Sequence, residues 1–290
     1  MDISQAAQDY LEEKTELWAG RDAGIFFLTY FNDRIMDIQM TQAEAQEMQL
    51  FSERCLLATS APVGVPIVFG PIALRTKRAA YVELYRDAIE RGIESGRFSS
   101  SILASDDILL TSNVLLDAVL FAMLPSLTGV LRGVIGAYLH NLGGINDNVD
   151  WTLHSDLGRA IMEAVRVFPP VFGVPYVLDG LRYSNLVGYS GYDRTVFGDD
   201  AWYYNVSRFE TLDQYRQYVI NWADRALPLE GKPETSHVCP GKSLSFNLLL
   251  GYLSALDIES WKEGPLGKPT VRDSGAGPLF WVYYKIQKMI

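Results

Sequence analysis

The chain has 290 residues, of which 48% are hydrophobic and 12% aromatic, so it can bury a substantial core. Its formal net charge of −10 excludes nucleic acid and anionic membrane surfaces as expected partners, because both require clustered Lys and Arg. The first residues carry neither the basic nor the apolar region of a signal peptide, so we expect a cytoplasmic protein without a membrane anchor. Cys55 and Cys239 are then expected to be free thiols.

The N-terminal part of the chain has the periodicity of helices. Apolar faces predict helices over residues 4–18 and 22–38, and a capping box at Thr41 and Glu44 opens a third helix. The Pro- and Gly-rich residues 62–66 end that helix. A long amphipathic helix is predicted to follow over residues 72–96.

Residues 106–139 are apolar on nearly all sides, which predicts a helix through the centre of a large domain. Pro125 and Gly129 are expected to kink it. Its uncharged stretch, residues 118–131, is shorter than a bilayer requires. We therefore expect a core helix rather than a membrane span.

The C-terminal part mixes helices with short strands. A helix over residues 155–168 ends at Pro169-Pro170, and alternating runs over residues 171–198 predict a small antiparallel sheet. A helix over residues 242–258 and a closing hairpin over residues 270–286 complete the chain. With no repeat and no interdomain linker, we predict a single domain over residues 1–290, mostly α with a small antiparallel β part.

Cys239 is the residue that most strongly indicates chemistry. It lies in Ser-His-Val-Cys-Pro-Gly-Lys, residues 236–242, directly before an apolar helix. A Cys at a helix start is kept as a thiolate by unpaired backbone N–H groups and by the helix dipole. A thiolate is a soft and strongly donating metal ligand. The alternative is a buried structural Cys, which would be inert and would need no helix N-terminus.

Several motifs occur in a fixed order around this Cys. Glu163-x-x-Arg166 precedes Pro-Pro, a segment from Val196 to Phe209 with Arg208 follows, and His237-x-Cys-Pro-Gly comes last. In this order they resemble the E-x-x-R motif, the meander and the haem-ligand loop of the cytochrome P450 superfamily. The resemblance covers residues 106–290 and extends less specifically to residues 1–105.

The resemblance implies a cytochrome P450-like fold that lacks its usual N-terminal portion, with haem b as cofactor. It implies that Cys239 is the axial ligand of the haem iron and that Gly241 belongs to the cofactor-binding loop. His237 matches a position that often hydrogen-bonds a haem propionate; the alternative is a solvated loop His. Glu163, Arg166 and Arg208 would form a buried ionic network with a structural role.

Two departures from the family bear on the reaction. Lys232 to Thr235 occupy the positions where the ligand loop usually has Phe and two Gly, and the altered loop is similar to the allene oxide synthase and hydroperoxide lyase branch. In the central helix, Pro125 stands where dioxygen-activating members carry an acid, and only Ser126 or Thr128 could supply a hydroxyl at the catalytic, distal side. Alternatively, both hydroxyls bond back to carbonyls of their own helix.

These departures favour an enzyme that cleaves or rearranges a peroxide, because a hydroperoxide substrate needs neither added electrons nor timed protons. The expected substrate is a small apolar molecule, such as an oxidised lipid or a natural-product intermediate. The enzyme alternative is a monooxygenase that takes electrons from a separate reductase. From another class comes a non-catalytic scaffold or binding protein with the same fold.

The region ahead of the central helix holds fewer residues than full-length family members have there. Four explanations stay open: a minimal enzyme, half of a dimer, a fragment of a longer product, or a relative that no longer holds haem. A shortened domain would expose apolar surface, and a homodimer is the simplest assembly that covers it.

Overall fold

The computed structural model describes residues 2–60, 71–169, 174–178, 181–185, 191–210, 239, 241–267, 271–272, 280–281 and 284–289. The described helices are α1 (Ile3–Leu11), α2 (Arg21–Phe31), α3 (Gln42–Ser60), α4 (Pro71–Glu94), α5 (Ile108–Asp117), α6 (Leu124–Leu139), α7 (Ile145–Asn148), α8 (His154–Val167), α9 (Arg194–Phe197) and α10 (Lys242–Leu256). The described strands are β1 (Glu16–Trp18), β2 (Val174–Leu178), β3 (Leu181–Asn185), β4 (Trp261–Glu263), β5 (Val271–Arg272), β6 (Phe280–Trp281) and β7 (Lys285–Lys288). Short 3₁₀ turns and two π-helical segments, Asn32–Met36 and Ala118–Met123, join some of these elements.

The chain divides into two compact units, one of residues 1–23 with 126–290 and one of residues 24–125. In the first unit α10 packs against α1 and α8. The contact with α1 is close, since a Cβ on Gly251 would lie 2.5 Å from Cγ2 of Ile3. Three small antiparallel sheets belong to this unit, in the orders β1-β7-β4, β2-β3 and β5-β6. The prediction of a single domain stays a prediction.

The second unit contains most of α2, then α3, α4 and α5, with the π-helical segment Ala118–Met123 at its C-terminal end. Its core consists of aromatic and aliphatic side chains that are at most 3% exposed: Phe26, Phe27, Leu28, Met48, Phe51, Tyr85, Ile89, Leu116 and Leu120. The predicted capping box is present, because the Thr41 N–H donates to Glu44 at 2.8 Å and the Glu44 N–H donates to the Thr41 hydroxyl at 3.2 Å. The predicted break at residues 62–66 lies outside the described residues.

The helix predicted over residues 4–18 is wrong in its second half. Helix α1 ends at Leu11, and residues 16–18 form β1, which pairs antiparallel with β7 so that Leu17 stands opposite Ile286. Both side chains are at most 2% exposed. Burial in a sheet with a strand from the other end of the chain overrides the local helical pattern.

One helical run among the described residues, Ile108–Leu139, is long and apolar enough to cross a membrane by length and composition. It comprises α5, the π-helical segment Ala118–Met123 and α6. Its Leu116, Leu120, Leu127 and Leu131 are at most 2% exposed, as in the core helix of a folded protein.

The π-helical segment lies directly before Pro125. The Leu124 N–H donates to the carbonyl of Val119, five residues earlier, instead of four. Pro125 has no N–H to continue the α-helical pattern, and π turns are a usual way for a helix to absorb such an interruption. The structure thus places a π-helical segment where the sequence predicted a kink.

Candidate functional site

Helix α8 carries an ion pair in the interior of the first unit. Glu163 and Arg166 are 0% exposed, one turn apart on the same face. The Arg166 guanidinium donates from Nε to Oε2 of Glu163 at 2.7 Å and from Nη2 to Oε1 at 2.5 Å. Two parallel hydrogen bonds of this kind fix both the geometry and the charge pairing.

The remaining donors of Arg166 hold a loop. Nη1 donates to the carbonyls of Gly191 and Ala201, both at 2.5 Å, and Nη2 donates to the carbonyl of Tyr203 at 2.8 Å. A Cβ on Gly191 would lie 2.5 Å from the carbonyl oxygen of Arg166, so a residue without a side chain is required there. One buried guanidinium therefore ties three points of the loop to α8.

Arg208 extends this arrangement from the other end of the loop. Its Nη1 donates to the Phe197 carbonyl at 2.6 Å, its Nη2 donates to the Asp200 carbonyl at 2.7 Å, and its Nε lies 3.6 Å from Oε1 of Glu163. The Asn205 N–H donates to the same Glu163 oxygen at 2.7 Å. Glu163 thus accepts hydrogen bonds from Arg166 and from the Asn205 amide, and it lies within ion-pair distance of Arg208.

The electrostatics follow from burial. Burial raises the pKa of Glu163, while the hydrogen bond and charge of Arg166, the Asn205 N–H and the charge of Arg208 oppose that rise. Near the surface, the hydrogen bond from Arg208 lowers the pKa of Asp200 below its ordinary value. We refer to Glu163, Arg166 and Arg208 together as the buried ionic network; its contacts are to its own chain, which is what a structural role requires.

Cys239 lies at the N-terminal end of α10. It is half-buried, and its carbonyl accepts a hydrogen bond from the Lys242 N–H at 3.1 Å. No residue from Lys242 to Asn247 is buried, although Leu244 and Phe246 are apolar, whereas Leu248, Leu249 and most of the following helix are buried. The thiol therefore stands at the open end of a helix that is anchored at its other end.

Gly241 lies beside this thiol and adds no side chain there. Its φ of −83° is accessible to any residue. Among the described residues, the atoms nearest to a Cβ placed there are Sγ of Cys239 and Oγ of Ser245, each at an ordinary contact distance of 3.8 Å. A soft sulfur donor at a helix N-terminus, next to a glycine and to half-buried Leu244 and Phe246, fits a flat, metal-centred group such as haem.

The structure treats the other predicted site residues differently. His237 lies outside the described residues. Ser126 is half-buried and Thr128 is 6% exposed, both in α6. The Thr128 carbonyl accepts from Nε of Arg132 at 3.2 Å. The distal role of Ser126 and Thr128 stays a prediction.

The sequence did not indicate most partners of the buried ionic network. They are backbone groups of residues 191–205, and a carbonyl oxygen has no sequence signature. Asp200, whose carboxylate lies 2.5 Å from Nη2 of Arg208, belongs to the segment that the sequence predicts as a meander, but the sequence assigned it no partner. Ser245, four residues after Gly241, was not singled out, although its position on the same helix face was a usable signal.

No family model matches the chain, and no curated protein matches it. Solved structures do match along nearly its whole length. Cytochrome P450BioI, in complex with an acyl carrier protein ligated to hexadec-9Z-enoic acid, is 12% identical with a TM-score of 0.64, and the alignment covers 98% of this chain and 72% of that one. CYP109E1 from Bacillus megaterium, in complex with testosterone, is 12% identical with a TM-score of 0.62 and coverages of 99% and 78%.

A third structure, from work on unusual cytochrome P450-like monooxygenases involved in microbial secondary metabolism, is 13% identical with a TM-score of 0.60 and coverages of 99% and 76%. None of these three is described as an allene oxide synthase or a hydroperoxide lyase, so the likeness to that branch gains no support. The predicted fold class is confirmed: the chain is mostly helical with small antiparallel sheets, and it has the cytochrome P450 fold.

Proposed function

We propose that the chain binds haem b through Cys239 and acts as a haem-thiolate enzyme on a small apolar molecule. The observation that carries the proposal is the N-terminal end of α10, where Gly241 adds no side chain beside the Cys239 thiol and no residue from Lys242 to Asn247 is buried. A scaffold without cofactor would not need a half-buried thiol beside a helix end whose Leu244 and Phe246 are also only half-buried.

Each residue of the site has a definite task in this proposal. Cys239 at the N-terminal end of α10 would supply the sulfur ligand, and the absence of a side chain at Gly241 gives a flat ring access to that sulfur. The buried ionic network holds the loop of residues 191–208 against α8. A haem held by this sulfur would supply cleavage of an O–O bond, because a thiolate ligand donates electron density to the iron.

For the oxidant, we infer a hydroperoxide rather than dioxygen. Pro125 cannot deliver a proton, and in the described structure its neighbourhood is a π-helical turn of Ala, Val, Leu, Phe and Met. A hydroperoxide substrate already carries the two electrons that dioxygen would need, so it makes no demand for a proton-delivering acid. The ligands named for two structural neighbours, a fatty acid and a steroid, support an apolar substrate, with an oxidised lipid as the first candidate.

The spectrum of the ferrous protein with carbon monoxide tests haem ligation. We expect the red-shifted Soret band of thiolate ligation in the wild type and in Cys55→Ala, and its loss in Cys239→Ala. Cys55 is the matched control because it is also a half-buried free thiol. An unchanged band in Cys239→Ala removes the ligand assignment, and a wild type that takes up no haem favours the scaffold.

Turnover tests the oxidant. Consumption of fatty-acid hydroperoxides without NAD(P)H or reductase supports our proposal. Product formation that requires a reductase and dioxygen, with hydroperoxides inert, would instead support the monooxygenase alternative. One structural neighbour comes from work on cytochrome P450-like monooxygenases, which is in line with that alternative.

We also propose that the chain self-associates through an apolar patch of the second unit. Ile102, Leu109, Leu110 and Val114 are 43–55% exposed, and the hydrogen bond from the Ala104 N–H to the Thr111 hydroxyl holds the preceding turn against α5. Clustered apolar exposure of this kind usually marks an interface, and a second copy is the simplest partner. Light scattering of the wild type and of Val114→Glu measures this self-association, and Leu266→Glu is the control at an exposed residue elsewhere. A wild type that is monomeric throughout rejects the dimer.

A further inference from the structure

Ser245 and Cys239 both lie beside Gly241. The Ser245 N–H donates to the Gly241 carbonyl at 2.8 Å, so these two residues are one helical turn apart on one face of α10. The point that a Cβ on Gly241 would occupy lies 3.8 Å from both the Cys239 sulfur and the Ser245 hydroxyl oxygen. Thiol and hydroxyl therefore border the same position, that of the side chain which Gly241 lacks.

The Ser245 hydroxyl is not engaged by its own helix. A Ser or Thr inside a helix commonly donates to the carbonyl four residues earlier. Thr29, Thr111 and Ser112 do so here, at 2.9, 2.7 and 2.7 Å. Among the described residues Ser245 makes no such bond to Gly241, although both residues are described. Its hydroxyl can therefore donate to another acceptor beside Gly241.

We propose that Ser245 is a positioning residue that donates a hydrogen bond to the Cys239 sulfur and thereby sets how strongly that sulfur donates to a bound metal. The inference rests on the proposed function, because the sulfur is a strong acceptor only as a thiolate ligand. A hydrogen bond to a ligand sulfur draws electron density from it and weakens its donation, which favours the reduced over the oxidised metal. The structure contains no hydrogen bond between these two described side chains, so the bond that we propose requires rotation of the Ser245 side chain.

The reduction potential of the haem-loaded protein tests this role. In Ser245→Ala no hydrogen bond weakens electron donation from the sulfur to the metal. We therefore expect the equilibrium to shift about tenfold toward the oxidised form, which is a fall in reduction potential of about 59 mV for a one-electron couple. Ser245→Thr keeps the hydroxyl and should restore the wild-type potential. Ser243→Ala is the matched control, because Ser243 lies in the same turn but is exposed, and it should leave the potential unchanged.

Two failures are distinguishable. If the wild type takes up no haem, or if Cys239→Ala keeps the thiolate spectrum, the proposed function and this inference both fall. If the thiolate spectrum is present and depends on Cys239, but Ser245→Ala has the wild-type potential, only the role of Ser245 is rejected. A fall that Ser243→Ala reproduces, or that Ser245→Thr does not reverse, also rejects it, since a general disturbance of the helix would then explain the change.

Discussion

Replacing Glu163 by Ala removes the acceptor that the buried ionic network shares. Two guanidinium groups, 0% and 9% exposed at the residue level, would then lose their buried counter-charge, and the Asn205 amide would lose its partner. Breaking a buried ion pair by removing one member typically costs about 3–5 kcal/mol. At roughly 2–4 °C of melting temperature per kcal/mol for a domain of this size, we expect Tm to fall by about 6–20 °C.

The chain offers a matched control for this change. Glu83 and Arg86 in α4 have the same i, i+3 spacing and the same shortest N–O distance of 2.5 Å, but their side chains are 49% and 36% exposed. An exposed pair is worth about 0.2–1 kcal/mol, so Glu83→Ala should lower Tm by only about 0.4–4 °C. Glu163→Gln, which keeps the size but not the charge, should fall between the two.

Thermal unfolding followed by circular dichroism, with the protein free of haem, measures the effect on the fold alone. Equal shifts in Glu163→Ala and Glu83→Ala would refute the reasoning, since Glu83 pairs at the surface and its partner Arg86 also lies near Asp87 and Glu90. Loss of soluble Glu163→Ala with a normal yield of Glu163→Gln would agree with it, because the amide keeps acceptors for the guanidinium groups.

Three further predictions follow from the site. Gly241→Ala should leave Tm of the haem-free protein unchanged, because the described atoms nearest to its Cβ lie at an ordinary contact distance of 3.8 Å, but should reduce haem uptake in a titration; full uptake would remove the steric argument. Ser126→Ala should change hydroperoxide turnover only modestly if its hydroxyl bonds within its helix, whereas a loss of a hundredfold or more would assign it a catalytic role. The lowered pKa of Asp200 means that its pairing with Arg208 stabilises the protein above about pH 3.8 and is lost as the pH falls below that value, so the Tm difference between wild type and Asp200→Asn should shrink on acidification.

The sequence indicated the side chains of the candidate site but not the backbone groups around them. Glu163 and Arg166 were identified from their spacing before Pro-Pro, and Cys239 from its place before an apolar helix. The partners of Arg166 were not, because they are carbonyl groups of a loop whose path depends on tertiary packing. A motif marks side chains that chemistry needs, whereas the backbone that receives them is defined only once the chain is folded.

The errors in the fold have a similar origin. The local apolar pattern of the β1 residues predicts a helix, because it depends only on their neighbours in the sequence. Their pairing partner β7 lies at the other end of the chain. The π-helical segment before Pro125 was read as a kink, since a Pro in a helical pattern predicts an interruption but not its form. Helix boundaries elsewhere, such as those of α8, depend on local signals and were predicted to within one residue.

The uneven burial of α10 has a consequence for how the protein would gain stability. Its C-terminal half is fixed in the core, but its first two turns have few buried contacts, and such segments open locally at small cost in free energy. A ligand that binds the closed form of those turns contributes a stabilisation that grows with the logarithm of its concentration. The supply of cofactor, and not only the sequence, would then determine how long residues 241–247 stay folded, and with them how long the half-buried thiol of Cys239 escapes oxidation.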